Sequence, residues 1–343
     1  MRRYYQIRAK NEQWSIQFER KTVYVFLILF FMNVLLFLSS LSIGSDWIHP
    51  IEVVKHLVGQ GNPQYDFVIN VWRLPRTLLA IFVGCALAVS GLILQGIIRN
   101  PLASPDIIGI TSGGSVGAIV FIGYFMGAVS IQWLSLAAII GAAIVATLIY
   151  LLSWSKGVTP IRLVLMGIGI SAIMNALVTM LMVMSDTAIT TKSYLWLTGS
   201  LYGASWSDIQ LMFPWLLLCL LLTYILARTM AVKELGDDIA TSLGVKVQIY
   251  RVIFLAISVV LAGIAVAFAG GIGFIGLMAP HIARTLIGRS FAGLIPVSAL
   301  VGSFLVMAAD LIGRSAFLPS DIPAGVFTAS IGAPFFIYLL YRN

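Results

Sequence analysis

Residues 73–105 read RLPRTLLAIFVGCALAVSGLILQGIIRNPLASP and contain 22 consecutive uncharged residues, Thr77 to Ile98. At about 1.5 Å of rise per residue, a helix of this length crosses a bilayer core of about 30 Å. Arginines stand at both ends of the run, and Pro101 and Pro105 follow it closely. The stretch therefore predicts a membrane-spanning helix that ends in a proline-broken turn.

The whole chain has the same character. Of its 343 residues, 60% are hydrophobic and 10% are charged, and the mean hydropathy is +1.00. So few polar residues cannot cover a water-soluble globule. The sequence predicts an all-α, polytopic membrane protein, with residues 1–343 forming a single transmembrane domain. About ten spans are expected, near 22–42, 76–98, 106–126, 132–154, 161–184, 209–229, 250–270, 273–287, 294–312 and 322–341, the eighth being short.

The basic residues predict an orientation. Six of them precede the first span, which is too long for a signal peptide and has no small-residue cleavage pattern. The positive-inside rule then places segment 1–21 in the cytoplasm, and ten spans return the C-terminus to the same side. With this topology, fifteen basic residues fall inside and five outside. Membrane orientation thus explains the net charge of +8, and nucleic acid is not an expected partner.

An internal repeat appears when the chain is shifted by 179 residues. Gly84–Gly109 then aligns with Gly263–Gly288, with identities that include Gly91/Gly270 and Pro101/Pro280. Five predicted crossings separate the two copies, so their orientations in the membrane would be inverted. Inverted repeats with broken helices shape the pathways of many transporters. The predicted breaks lie beside the prolines, at Asn100, Pro101 and Pro105 in the first copy and at Pro280 and His281 in the second.

The sequence lacks the residues that catalysis or metal binding would require. Ser115 satisfies the pattern G-x-S-x-G, but it lies in a predicted membrane helix and not in the strand-to-helix turn of a hydrolase. The three histidines form no metal-binding motif, no nucleotide-binding loop occurs, and Cys85 and Cys219 lie inside apolar runs. We expect no catalytic residue, no metal site and no cofactor on this chain.

One inner loop is amphipathic. Leu235, Ile239 and Leu243 recur at every fourth residue, and Gly244 is placed as a helix stop. A short helix with one apolar face could lie on lipid headgroups or dock onto a cytoplasmic subunit. The adjacent Asp237 and Asp238 favour docking, because anionic headgroups would repel them.

Three arginines mark helix ends on the predicted outer side. They are Arg73, Arg76 and Arg314, and Asp310 precedes Arg314 by one turn. These side chains could be interfacial anchors, with Asp310 and Arg314 forming a local ion pair. Alternatively, they could bind an acidic external partner, since arginine pairs with carboxylates in a bidentate manner.

Several motifs occur together in a characteristic order and resemble one known family. The chain is similar to the FecCD or BtuC-like permease subunits of binding-protein-dependent ABC importers for ferric siderophores, haem and cobalamin. The resemblance rests on Arg73-Leu-Pro-Arg76, Arg99-Asn-Pro-Leu-Ala103, Leu243-Gly244, Gly271-Ile-Gly-Phe-Ile-Gly-Leu277, Pro280-His281 with Arg284, Ala309-Asp310 with Arg314, Pro323-Ala-Gly325 and Gly332-Ala-Pro-Phe335.

The resemblance implies a type II importer with ten helices in each permease subunit. Its partners would be a second permease, either identical or a paralogue, two cytoplasmic ATPase subunits that bind Mg-ATP, and an extracytoplasmic siderophore-binding protein. Arg73, Arg76 and Arg314 would dock the binding protein. The coupling loop 231–250 would contact the ATPase through Glu234, Asp237, Asp238, Ala240, Leu243 and Gly244. A short helix near 190–199, with Ser193, Trp196 and Gly199, would gate the outer mouth.

The expected function is therefore transport and not catalysis, in the cytoplasmic membrane of a bacterium. ATP hydrolysis would be supplied by the separate ATPase, and a ferric siderophore would cross along a smooth, apolar pathway. Haem and cobalamin are the alternative cargoes. An ion-coupled secondary transporter is the competing class, but it predicts a buried ionisable residue within a span, whereas Asp106 and Asp310 sit at helix ends.

Overall fold

The computed structural model describes residues 4–8, 15–106, 108–126, 128–155 and 157–342. Of the predicted N-terminal segment 1–21, residues 1–3 and 9–14 lie outside the described part. Two antiparallel strands precede the first helix, β1 (Tyr4–Arg8) and β2 (Ser15–Glu19), with Tyr4 opposite Glu19. The sequence analysis predicted no strand here, although Ile16 and Phe18 alternate with polar residues at the period of a strand.

The rest of the described chain is helical. Fourteen α-helices follow one another: α1 (Arg20–Ser42), α2 (Pro50–Leu57), α3 (Leu74–Ile98), α4 (Ile110–Tyr124), α5 (Trp133–Leu152), α6 (Pro160–Val183), α7 (Thr187–Leu197), α8 (Trp206–Ile225), α9 (Ala227–Glu234), α10 (Asp237–Ser242), α11 (Val247–Ala269), α12 (Ile275–Ile287), α13 (Phe291–Ser315) and α14 (Ala324–Arg342). A π-helical stretch, Phe67–Arg73, leads directly into α3.

All ten predicted spans are helices. Eight of them, α1, α3, α5, α6, α8, α11, α13 and α14, are long and apolar enough to cross a membrane. The other two, α4 and α12, have 15 and 13 residues. At about 1.5 Å per residue, neither would cross a core of about 30 Å alone. The prediction of a short eighth span is confirmed, and α4 is shorter than expected.

The core forms around α3, which packs against α11, α12 and α13. Small residues bring these backbones unusually close. A Cβ atom added to Gly91 would lie 1.8 Å from the Gly276 carbonyl oxygen, and one added to Gly84 would lie 2.3 Å from that of Gly302. Lipid offers no hydrophobic drive for helix association, so such close packing stabilises the bundle.

The first break in the bundle separates α3 from α4. Arg99 adopts a left-handed conformation with φ of 56°, and Gly109 adopts one with φ of 83° immediately before α4. Asn100, Pro101 and Pro105 lie between them, outside any helix. The Asn100 side-chain oxygen accepts a hydrogen bond from the Leu102 N–H at 2.9 Å, which stabilises the turn.

The prediction of a break at Pro280 is wrong. This proline lies inside α12, and the second break is at residues 270–274, between α11 and α12. A proline inside a helix leaves the carbonyl four residues earlier without its usual donor. That carbonyl belongs to Gly276, and the side-chain amide of Gln95 donates to it at 3.4 Å. α3 therefore supplies a donor to the carbonyl oxygen that the proline leaves free.

Candidate functional sites

Arg76 is the centre of an ion-pair network at one end of the bundle. Its Nε atom lies 2.8 and 3.1 Å from the carboxylate oxygens of Asp310. Its two terminal nitrogens form a bidentate contact with Asp321, at 2.5 and 2.9 Å. The Asp310 side chain is 2% exposed, whereas that of Asp321 is 27% exposed. One guanidinium group thus joins a buried carboxylate to one that water can reach.

Arg73 and Arg314 bind the end of α1. The Arg73 side chain donates to the carbonyl oxygens of Leu41 at 2.7 Å and Ser42 at 3.1 Å, and Arg314 donates to those of Ser40 and Ile43. The last carbonyl groups of a helix have no partner within the helix and carry partial negative charge. The two arginines therefore act as a C-terminal cap on α1.

The structure brings all three arginines predicted to dock a binding protein to this one end, but turns them inward. Arg73 is buried, and the side chains of Arg76 and Arg314 are 12% and 10% exposed. The expected local pair of Arg314 with Asp310 is present at 3.5 Å, and Arg76 is the nearer partner of Asp310. Asp321 was missed by the sequence analysis, because no local pattern connects it with Arg76.

The segment between α8 and α11 contains the predicted coupling residues. Asp237, the first residue of α10, lies 2.6 Å from the NH2 group of Arg251 in α11 and 3.9 Å from that of Arg99. Arg251 is buried and also donates to the Val158 carbonyl oxygen. Asp237 therefore links α10 to α11 and to Arg99, the residue that follows α3.

This segment exposes apolar side chains that no other described residue covers. Leu235, Ile239 and Leu243 are 60%, 50% and 62% exposed. The single short helix expected here is divided, because Gly236, with φ of 122°, separates α9 from α10, and only Ile239 lies within α10. The remaining coupling residues differ in environment. Asp238 is exposed, Glu234 is half-buried at the end of α9, Ala240 is buried, and Gly244 has φ of 82° just after α10.

Lys233 lies beneath this face with its charge largely unopposed. The residue is 2% exposed, its Nζ atom has no hydrogen-bond partner among the described residues, and Nζ stands 5.5 Å from the centre of the Phe254 ring. Burial, together with the nearby Arg251 and Arg99, lowers its pKa to about 8, although Asp237 opposes the shift. Burial also raises the pKa of Glu234, which Arg284 and Arg289 partly offset. The sequence analysis did not single out Lys233.

The predicted gate residues lie in and after α7, against the second break. The Ser193 side chain is fully buried and its hydroxyl has no partner in the described part of the chain. The carbonyl oxygen of half-buried Trp196 lies 2.1 Å from where a Cβ atom on Gly270 would be. Gly199 accepts a hydrogen bond from the Gly325 N–H at 3.0 Å. This segment therefore contacts both the second break and the start of α14.

The described residues contain no group of three or more His, Cys, Asp or Glu side chains that could hold a metal ion. Cys85 and Cys219 are free and buried. His281 makes an edge-on ring contact with Phe335 of α14, with centroids 5.7 Å apart. Its position favours packing between α12 and α14.

Comparison with known proteins identifies the family of this chain. The profile of the FecCD transport family matches residues 31–342. The chain is 48% identical to the achromobactin transport system permease protein CbrC of Dickeya dadantii (strain 3937), over 89% of this chain and 87% of that protein. It is 42% identical to the iron(3+)-hydroxamate import system permease protein FhuG of Bacillus subtilis (strain 168), over 94% and 98%.

A solved structure has the same fold. It is an ABC transporter assigned to the metal-chelate type, in an inward-facing conformation, and it superposes on this chain with a TM-score of 0.84. The two sequences are 34% identical, and the match covers 94% of this chain and all of the solved one. With its many apolar helices, this chain is a multi-pass protein of the cytoplasmic membrane and a transport subunit, its ATPase being a separate subunit. It belongs to the FecCD transport family of ABC importer permeases.

Proposed function

We propose that this permease carries iron(3+) into the cell as a ferric siderophore, an organic chelate of iron. The names of its relatives support this cargo, since CbrC belongs to an achromobactin transport system and FhuG to an iron(3+)-hydroxamate import system. The absence of a metal-ligand cluster among the described residues agrees with it, because the iron would travel inside its own chelator. Haem and cobalamin are the alternative cargoes.

The proposed orientation has both termini in the cytoplasm. It follows from the excess of arginine and lysine in the predicted inner loops. In this orientation the α9–α10 segment faces the cytoplasm, and the Arg76 network lies at the outer end. The importer would contain this single-domain permease, a second permease copy or paralogue, two ATPase subunits and an outer binding protein.

One observation carries the coupling role: three exposed apolar side chains in and beside α10 that nothing in the described chain covers. Exposed leucine and isoleucine at Leu235, Ile239 and Leu243 are costly in water and suit a groove on a protein partner. Asp238 beside them would be repelled by anionic lipid headgroups. We assign this face to the ATPase, whose movement would reach α3 and α11 through Asp237.

The outer end is the proposed docking surface for the binding protein. Arg73 and Arg314 are occupied by the end of α1, so we place docking at Arg76. Its outer partner, Asp321, is the most accessible part of the network. A carboxylate of the binding protein could replace Asp321 in the same bidentate geometry. Ser193, Trp196 and Gly199 would open or close the mouth by moving against the second break.

Asp321→Ala tests this docking mode. Removing the competing carboxylate should leave Arg76 paired with Asp310 and available to the binding protein. Affinity for the binding protein, measured with the complex in nanodiscs, should increase by about threefold to tenfold. Unchanged or weaker binding would show that the exchange does not occur.

The coupling assignment is tested by co-purification of the ATPase with a tagged permease. Ile239→Asp should abolish co-purification, whereas Ser242→Ala, at an exposed polar position on α10, should retain it.

The cargo is tested with the complete importer in liposomes, by ATP-dependent uptake of ferric hydroxamate, ferric citrate, haem and cobalamin. Uptake that needs an ion gradient but no ATP would contradict the proposal.

A further inference from the structure

Lys233 is a buried basic residue whose role the proposed function leaves open. It is the penultimate residue of α9, and its Nζ atom faces the Phe254 ring of α11 with no hydrogen-bond partner among the described residues. One turn earlier, the buried side chain of Met230 packs closely on α3, since a Cβ atom on Gly96 would lie 2.9 Å from its sulfur. An ammonium group buried here loses its hydration, and the face of an aromatic ring replaces only part of it.

The charges around this ammonium group do not balance. Arg251 of α11 and Arg99 after α3 repel it, whereas Asp237 of α10 attracts it. Asp237 already faces both arginines, at 2.6 and 3.9 Å. In the described part of the chain, α8 and α13 also pack against α9 but bring no charged side chain up to Lys233, and Glu234 interacts with two arginines near the end of α12. Three cations therefore share one carboxylate whenever Lys233 is protonated.

A glycine hinge lies three residues further along the chain. Gly236 separates α9 from α10, and its φ of 122° belongs to the region that favours glycine. The α10 helix has only six residues, and Asp237 holds it to Arg251 of α11. Hinges of this kind absorb large backbone changes. The four-carbon stem of Lys233 is long enough to bring its ammonium group to water when the segment moves outward.

We propose that Lys233 is a positioning residue whose protonation releases the α9–α10 segment from α3 and α11. With a neutral amine, the segment stays seated and Asp237 remains paired with Arg251. With an ammonium group, the segment favours a displaced position in which Lys233 reaches water. The inference rests on the proposed function, because displacement would move the ATPase contact at Ile239. ATPase coupling would then respond to the pH on the cytoplasmic side.

The direction of the pH response follows from the linkage between proton binding and position. Burial and the nearby Arg251 lower the pKa of seated Lys233 to about 8, against an ordinary value of 10.5. The displaced position therefore holds the proton more firmly, and the seated position is increasingly favoured as the pH rises between these two values. From pH 9 to pH 7, the ratio of displaced to seated molecules should increase about tenfold.

Hydrogen exchange of the full-length permease in nanodiscs, without the ATPase, measures the displacement. At millisecond labelling times, the backbone amides of α9 and α10 should exchange faster in wild type than in Lys233→Met. The ratio of the two rates should increase about tenfold from pH 9 to pH 7. Comparison at equal pH removes the pH dependence of the exchange reaction itself. The amides of α5, outside this segment, should remain unexchanged at these times in both proteins.

Two further variants make the test specific. Lys246→Met removes an exposed lysine between α10 and α11, and its exchange should follow that of wild type at every pH. Lys233→Arg keeps its charge throughout this range, because a guanidinium group does not deprotonate. Its α10 amides should therefore exchange as fast at pH 9 as the displaced position allows, and the ratio of its rate to that of wild type should increase about tenfold from pH 7 to pH 9.

Transport provides a second readout in the complete importer. The ATPase activity stimulated by the binding protein should be higher in wild type than in Lys233→Met at pH 7. The ratio of these activities should fall by up to about tenfold towards pH 9. The corresponding ratio for Lys246→Met should stay constant, since the pH dependence of the ATPase subunit itself is common to both proteins.

Two results would overturn the inference. One is a ratio of α10 exchange rates between wild type and Lys233→Met that stays constant from pH 7 to pH 9. The other is exchange of α5 together with α10, which would mean that the whole bundle opens and that this segment does not move alone. Failure of the proposed function looks different, because Ile239→Asp would then still co-purify with the ATPase, while exchange in the permease alone would still depend on pH.

Discussion

Arg76 and Asp310 are 234 residues apart in the sequence, yet the Arg76 Nε atom lies 2.8 Å from the Asp310 carboxylate. The contact joins the start of α3 to the end of α13. Because Asp321 holds the other side of the same guanidinium group, the loop after α13 is fastened to the same point. Arg76, which the sequence presents as a basic residue at a helix end, is thus paired internally with two carboxylates.

Asp310→Ala should destabilise the protein by about 3–5 kcal/mol, because Arg76 and Arg314 would remain buried without their common carboxylate. Asp321→Ala is the matched variant, since it removes the other carboxylate bound to Arg76. Water can replace that carboxylate, so the expected loss is about 1 kcal/mol or less. Unfolding of both variants in detergent micelles measures the difference, and equal losses would contradict the distinction between the buried and the accessible pair.

Gly91→Ala should destabilise the bundle by about 1–3 kcal/mol or more, since the new methyl group would overlap the Gly276 carbonyl oxygen and push α3 away from α12. Gly169→Ala in α6 is the control. A Cβ atom there meets no other atom within 4 Å, so the substitution should be neutral or stabilising by up to about 1 kcal/mol. Thermal unfolding in the same detergent tests both. If Gly91→Ala were as stable as wild type, the helices could not be packed so closely.

Asp237→Asn should loosen α10, because buried Arg251 would lose the charge that faces it at 2.6 Å. We expect a destabilisation of about 1–3 kcal/mol, less than for a fully buried pair because Asp237 is partly exposed. Hydrogen exchange of the backbone amides of α10 should become faster. Asp238→Asn, at the neighbouring exposed position, should change stability by about 0.5 kcal/mol or less. Equal exchange rates in the two variants would show that the ion pair does not hold the helix.

Lys233→Met should stabilise the protein at neutral pH. The folded chain holds the Lys233 proton with a pKa of about 8, against an ordinary value of 10.5. The unfolded chain therefore binds more protons between these two values, and the wild type gains stability as the pH rises through that interval. The variant, which has no such group, should be more stable than wild type by up to about 3 kcal/mol below pH 8. The advantage should disappear near pH 10.5.

The comparison with wild type at each pH separates Lys233 from other titrating groups. Lys246→Met, at an exposed position in the same segment, should show no such advantage at any pH. A constant difference between Lys233→Met and wild type from pH 7 to 11 would mean that the Lys233 ammonium carries no burial penalty.

Much of the fold could be predicted from the sequence, because in a bilayer the secondary structure of each segment depends on the residues of that segment alone. Backbone polar groups in hydrocarbon must be satisfied within the same segment, so each long apolar run has to be a helix. The runs around Thr77–Ile98 and the nine others are all helical in the structure. The exposure of Leu235, Ile239 and Leu243 could not be derived from helical periodicity alone, because Gly236 divides the expected helix and only Ile239 lies within α10.

The side-chain partners could not be predicted in this way, because contacts between distant helices leave no local pattern. Only the tertiary structure shows that Arg73 and Arg314 cap α1, and that Asp321 binds Arg76. It also shows that Gln95 in α3 donates to the carbonyl oxygen that Pro280 leaves free in α12, and that Asp106 and Asn175 line one cavity. The sequence by itself determined which segments form apolar helices, most of them long enough to cross a membrane, because that depends on the length of apolar runs. Which polar groups meet inside the bundle was decided by helix packing.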